Sequence, residues 1–105
     1  MPTYYRAADD ETWTPYRAGA MGYLRQDEAL NAGVWAVTPA EAPAQVEVTL
    51  PVDRTVLVLD GMLEIAVVDG ATYSLGVGDS ASFPKGTTIR ISVLAPLRQF
   101  FVDRL

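Results

Sequence analysis

Apolar and polar residues alternate along much of this chain, in short segments cut by glycine, proline and aspartate. A period of two is the mark of half-buried strands. In 45–50, Val46, Val48 and Leu50 fall on one face, with Glu47 and Thr49 on the other. Val34–Thr38 reads as a strand ending before Pro39, and 39–44 as a loop. Asp60-Gly61 and Asp69-Gly70 each predict a two-residue type I′ hairpin, because Asp-Gly supplies positive φ at low cost. The first would pair Thr55–Leu59 with Met62–Val68, and the second Met62–Val68 with Ala71–Leu75. Leu75–Asp79 is a further turn, in which the Asp79 side chain caps backbone N–H groups. Ser80–Phe83 is a short extended segment, since Phe83 precedes proline. Phe83–Gly86 fits a type I turn with proline second and glycine fourth. Thr88–Leu94, a turn at Ala95-Pro96 and a last strand Arg98–Asp103 complete the series. Turns about every 8–12 residues are the pattern of a sandwich or barrel.

The amino-terminal quarter is less regular. Thr3–Arg6 and Tyr23–Arg25 read as short strands, and Thr12–Tyr16 alternates until Pro15 interrupts it. Around Asp27–Leu30 a single helical turn is expected, ended by Asn31 and Gly33. Four of the five tyrosines lie in the first 25 residues. They suit either an arm that closes a barrel end or packs on a second subunit, or the lining of a ligand mouth.

VLVLDG, a second DG, GVGDSASFPKG and LAPLRQFFV together resemble a small single-domain cupin. They are most similar to the group that includes the ethanolamine-utilisation and ureidoglycine-aminohydrolase-like cupins. The resemblance runs from about Gly33 to Val102. It implies an all-β double-stranded β-helix, a jelly-roll barrel with a lumen. Residues 1–105 then form one domain, with 1–32 an arm plus first strands and 33–105 the barrel. The family also implies a homodimer, and a structural role for Arg98 in fixing the last strand.

Metal-binding cupins share two spaced motifs, His-x-His with a following Glu, and a later His beyond Pro-x-Gly. Anchored on Gly61, Gly78 and Gly86, the Glu position falls on Arg54 and the last His position on Ile89. The His-x-His pair falls on Val48 and Leu50, or in a one-residue-longer spacing on Glu47 and Thr49. The alternation of 45–50 favours Val48 and Leu50. None of these residues is a metal ligand except Glu47, and an arginine in the cluster repels a cation. The resemblance therefore carries no metal and no other cofactor. It excludes the dioxygenase, oxalate-oxidase and metal-dependent hydrolase chemistries of cupins.

Composition narrows the rest. The chain has no histidine and no cysteine, so the usual general base, thiolate and soft metal ligands are missing. Cupin epimerases that work without metal use a histidine, so that route is closed as well. The net charge is −5, with 13 acidic against 8 basic residues, which disfavours a nucleic-acid partner. No apolar run approaches the ~18 residues of a membrane helix, and MPTYYRAADDETW has no secretory character. A cytoplasmic protein without a membrane partner is expected.

Candidate lumen residues are Trp35, Val48, Leu50, Arg54, Tyr73 and Ile89. Arg54 inside a barrel has to pair with a carboxylate, reach the mouth or meet an anionic ligand. Its alternative is a place at the strand start, facing solvent or paired with Asp53 or a neighbour. The leading expectation is a metal-independent cupin whose largely apolar lumen binds a small organic molecule, one form of which carries a carboxylate near Arg54. A metal-free isomerase, cyclase or lyase, or an assembly cupin without ligand, are the alternatives.

Overall fold

The computed structural model describes residues 3–42 and 45–105. It is all β, with eight strands: β1 (Thr14–Pro15), β2 (Ala20–Gln26), β3 (Leu30–Val37), β4 (Val46–Thr49), β5 (Asp53–Val67), β6 (Thr72–Leu75), β7 (Ser80–Phe83) and β8 (Thr88–Arg104). Among the described residues no helix is long and apolar enough to cross a membrane.

The spine is the antiparallel pair β5–β8, in register from Asp53↔Arg104 to Val67↔Ile89. Each half of this ribbon collects its own neighbours. The half with Asp53–Asp60 and Leu97–Arg104 is flanked by β7 on one side and by β3, β2 and β1 on the other. The half with Leu63–Val67 and Thr88–Val93 is flanked by β6 and β4. The ribbon bends between the halves, so that Val56 and Phe101 from one share a cavity with Ile65 and Ile89 from the other.

The bend has a visible cause. Between Val58↔Gln99 and Leu63↔Val93 the two strands advance by unequal residue counts, with three register shifts. The inward face of β5 therefore passes from Arg54, Val56 and Val58 to Leu63 and Ile65, while β8 keeps its odd-numbered residues inside. A one-residue slip exchanges the faces of a strand. Gly61 sits at φ +86°, and a Cβ there would lie 2.1 Å from the Pro96 carbonyl oxygen. Only glycine fits.

This corrects two sequence expectations. Asp60-Gly61 is not a hairpin and Ala95-Pro96 is not a turn. They lie near each other on one continuous ribbon, where a bulge absorbs the glycine and proline that each reads locally as a chain reversal.

The Asp69-Gly70 hairpin does join β5 to β6, with Leu63↔Leu75 through Ala66↔Thr72. Its left-handed residue is Asp69 alone, at φ 62°, so it is not a type I′ turn. The Gly76–Asp79 turn is capped as expected, Asp79 Oδ2 accepting the Gly76 N–H at 2.8 Å. The next turn is displaced by one residue. Thr87 N–H donates to the Pro84 carbonyl, and Gly86 at φ +91° is the third residue, which a type II turn requires.

No helical turn forms at 27–30. Asp27 Oδ1 instead accepts the N–H groups of Ala29 and Leu30, at 2.9 and 3.0 Å, and closes a β2–β3 hairpin. An aspartate that satisfies these N–H groups removes the need for the helix. Thr3–Arg6 forms no strand. Arg6 stacks its guanidinium 4.7 Å above the Trp13 ring, tying the arm to itself. Of the 39–44 loop, Pro43 and Ala44 lie outside the described residues.

Candidate functional site

The alternation that builds the strands also builds a lumen. Inward residues of β2, β3, β4, β5, β7 and β8 line one cavity of about 100 Å³. Its apolar wall is Val46 and Val48 from β4, Val56 and Ile65 from β5, and Ile89 and Ile91 from β8. Met21, Trp35, Phe83 and Phe101 close it with larger side chains. At one end the lining turns polar, with Tyr23, Asn31, Arg54, Gln99 and Asp103, and with Tyr16 and Arg17 from the exposed β1–β2 turn. An apolar cavity of about 150 Å³ holds benzene, so the space here suits a smaller molecule.

Of the six candidates read from the sequence, Trp35, Val48, Arg54 and Ile89 line the cavity. Val48 and Ile89 are direct cross-strand partners. Trp35 presents its ring, because its indole N–H is already given to the Ala18 carbonyl at 2.7 Å. Leu50 is 1% exposed but lies outside the lining, in the core. Its backbone accepts from Gly86 and donates to Thr87, which holds β4 to the turn before β8. Tyr73 is not a lumen residue. It shares the inward face of β6 with Leu75 and lies opposite Ile65, but β6 is the edge strand, paired with β5 alone, and Tyr73 stands half exposed there (50%).

Arg54 reaches the lumen and is paired. Its Nε donates to Asp103 Oδ1 at 2.7 Å and its Nη2 to Oδ2 at 2.9 Å. The two residues face each other directly across β5 and β8. Asp103 is nearly buried, its side chain 6% exposed, and is the carboxylate that an inward arginine demands. Burial pushes the guanidinium pKa down, but the hydrogen bond and charge of Asp103 outweigh this and leave it above its usual value. Asp53, the expected local partner, instead accepts the Lys85 backbone N–H at 2.7 Å.

Asn31 and Gln99 were not singled out in the sequence. Asn31 lies opposite Asp103 on β3, and Gln99 lies two inward positions before Asp103 on β8. The oxygen of each side-chain amide is buried without a hydrogen-bond partner. The signal was present for Gln99: in Arg98–Asp103 it shares a face with Phe101. Asn31 was hidden by the expectation that it ended a helical turn.

The positions at which metal-binding cupins carry ligands hold Val48, Leu50, Ile89 and an arginine already bound to Asp103. Among the described residues no group of three or more His, Cys, Asp or Glu converges. This donor set does not fit a first-row metal.

A sequence profile of the EutQ-like cupin domain matches residues 24–101. Among solved structures, the EutQ protein of Clostridium difficile is 26% identical with a TM-score of 0.69, over 81% of this chain and 66% of that one. A putative ethanolamine utilization protein Q from Salmonella typhimurium is 24% identical with a TM-score of 0.69, over 81% and 68%. A conserved Streptococcus pyogenes protein of unknown function is 18% identical with a TM-score of 0.70, over 99% and 95%. This chain thus spans about two thirds of the length of the two EutQ structures. No curated protein matches it.

Proposed function

The chain belongs to the EutQ-like cupin family, and from that premise we propose that it is a metal-independent cupin whose lumen binds a small organic molecule. One observation carries the reading. The cavity joins an apolar wall, contributed by both halves of the ribbon, to a cluster of polar side chains at one end. A concave apolar site with few convergent polar groups is the usual form of a small-molecule pocket.

The carboxylate expected near Arg54 is not favoured. The planar fork that would clasp it is already filled by Asp103. The test is native mass spectrometry of protein purified without added ligand, beside elemental analysis. A small-molecule adduct lost on denaturation, with zinc, iron and manganese far below one per chain, is expected. Stoichiometric metal would overturn the reading.

The same proposal includes a homodimer. β5 turns Leu57, Leu59 and Met62 outward, each more than a third exposed. Light scattering at micromolar concentration should give twice the 11.4 kDa chain mass, and a Leu59→Glu variant should shift it toward the monomer.

A further inference from the structure

The polar end of the lumen holds two amides with unmet hydrogen bonds. Gln99 is only 5% exposed, yet its Oε1 has no partner, and the same holds for Asn31 Oδ1. Both residues line the cavity. Leaving such a buried group unpaired forfeits its hydration without return. A buried polar group of this kind points to a missing partner.

The charges nearby say what that partner is not. Arg54 and Asp103 neutralise each other inside the cavity wall. Arg17, the other charge on the lining, stands at the exposed β1–β2 turn with its guanidinium over the Tyr16 ring, where water screens it. An entering carboxylate meets the Asp103 charge, and an entering ammonium meets Arg54. Asn31 and Gln99 differ from both. A side-chain amide carries an acceptor and two donors, and its terminal torsion lets either end face the cavity. Their complement is a neutral group that both donates and accepts. The remaining wall, Val48, Ile65 and Ile89, suits a short hydrocarbon part, and about 100 Å³ keeps the whole molecule small.

Resting on the lumen-binding reading above, we propose that the cavity selects short neutral molecules of the carboxamide class, held by Asn31 and Gln99, over carboxylates and amines of the same shape.

The test is an isosteric series. Protein carrying labelled isoleucine methyl groups is titrated at pH 7 with propionamide, propionate and propylammonium, and separately with xenon as a purely apolar probe. Propionamide should shift the Ile65 and Ile89 methyl signals and bind at least tenfold more tightly than either ion. Gln99→Leu removes an unpaired group and should fold. It should weaken propionamide tenfold or more and leave xenon binding unchanged, and Asn31→Leu should act the same way. Tighter binding of propionate or propylammonium, or propionamide binding unaltered in both variants, would overturn the proposal. Xenon shifting the methyl signals while propionamide does not would also overturn it, and would leave the lumen intact as a binding cavity. If neither xenon nor any of the three molecules enters, the lumen-binding reading falls with it.

Discussion

Two arginine–carboxylate pairs link β8 to its neighbours at nearly the same Nε–oxygen distance on opposite walls of the barrel. Arg54–Asp103 joins β5 to β8 from inside, with Nε at 2.7 Å from its acceptor. Arg90–Glu47 joins β8 to β4 from outside, with Nε at 2.8 Å. Each pair is a direct cross-strand partnership. The inner pair adds a second hydrogen bond, Nη2 to Oδ2 at 2.9 Å, and the larger difference is water. The outer side chains are 50% and 57% exposed, and the inner ones 23% and 6%. The outer pair exchanges hydration for a contact of similar worth. The inner pair has given up much of its hydration, so each charge depends on the other. Distance alone would rank the two as equals.

That contrast can be broken at its strong end first. Asp103→Leu leaves the Arg54 charge without a partner in the lumen wall, and should lower unfolding free energy by about 3 kcal/mol or more in urea titration. A loss no larger than that of an outer-wall variant would refute the difference. Adding Arg54→Met to Asp103→Leu removes the stranded charge. Most of the lost stability should return, to within about 1 kcal/mol of the parent. If the double variant is as weak as the single one, the carboxylate matters for something other than its arginine.

Arg90→Ala and Glu47→Ala, combined in a double-mutant cycle, should give a coupling of about 0.5 kcal/mol or less. That coupling should shrink further in 1 M salt, where exposed charges are screened beyond about 3 Å.

The smallest effect concerns acid. Arg25 first, then the backbone N–H groups of Ala29 and Leu30, hold the Asp27 carboxyl below its usual pKa of 3.8. A lowered folded-state pKa adds stability above the unfolded value, which is lost as pH falls through the folded one. Thermal melts should therefore show the Asp27 contribution intact at neutral pH and fading below pH 3.8. Asp27→Asn should flatten that acid limb. An unchanged limb would mean that the hairpin cap does not couple to global unfolding.

What could be read from the sequence was local. The alternation at 45–50 places Val46 and Val48 on the lumen face, and Gly76–Asp79 announces its own cap. Phase and pairing were not legible. Gly61 and Pro96 each carry an unambiguous turn signal, and only the pairing of two distant strands converts those signals into one bend. Asp103 as the partner of Arg54 is likewise a product of register across the sheet. The family spacing pointed to Val48, Arg54 and Ile89 as lumen positions, because that spacing encodes turns which the chain keeps. Tyr73 failed because its strand is the sheet edge, where the inward face runs out beyond the cavity, and strand order is not written in a single strand.

The long β5–β8 ribbon also has a kinetic consequence. Its inner contacts begin at Val67 with Ile89 and end at Asp53 with Arg104. Zipping in that order must first close the loop that holds β6 and β7, and each later pair encloses more chain. High contact order of this kind places folding in the milliseconds-to-seconds range rather than microseconds. Because β5 bonds to β6, β7 and β8 alike, its amides should open only with the whole domain. In native-state hydrogen exchange they form the slowest cooperative unit, so a lumen ligand can come and go without the spine ever unzipping.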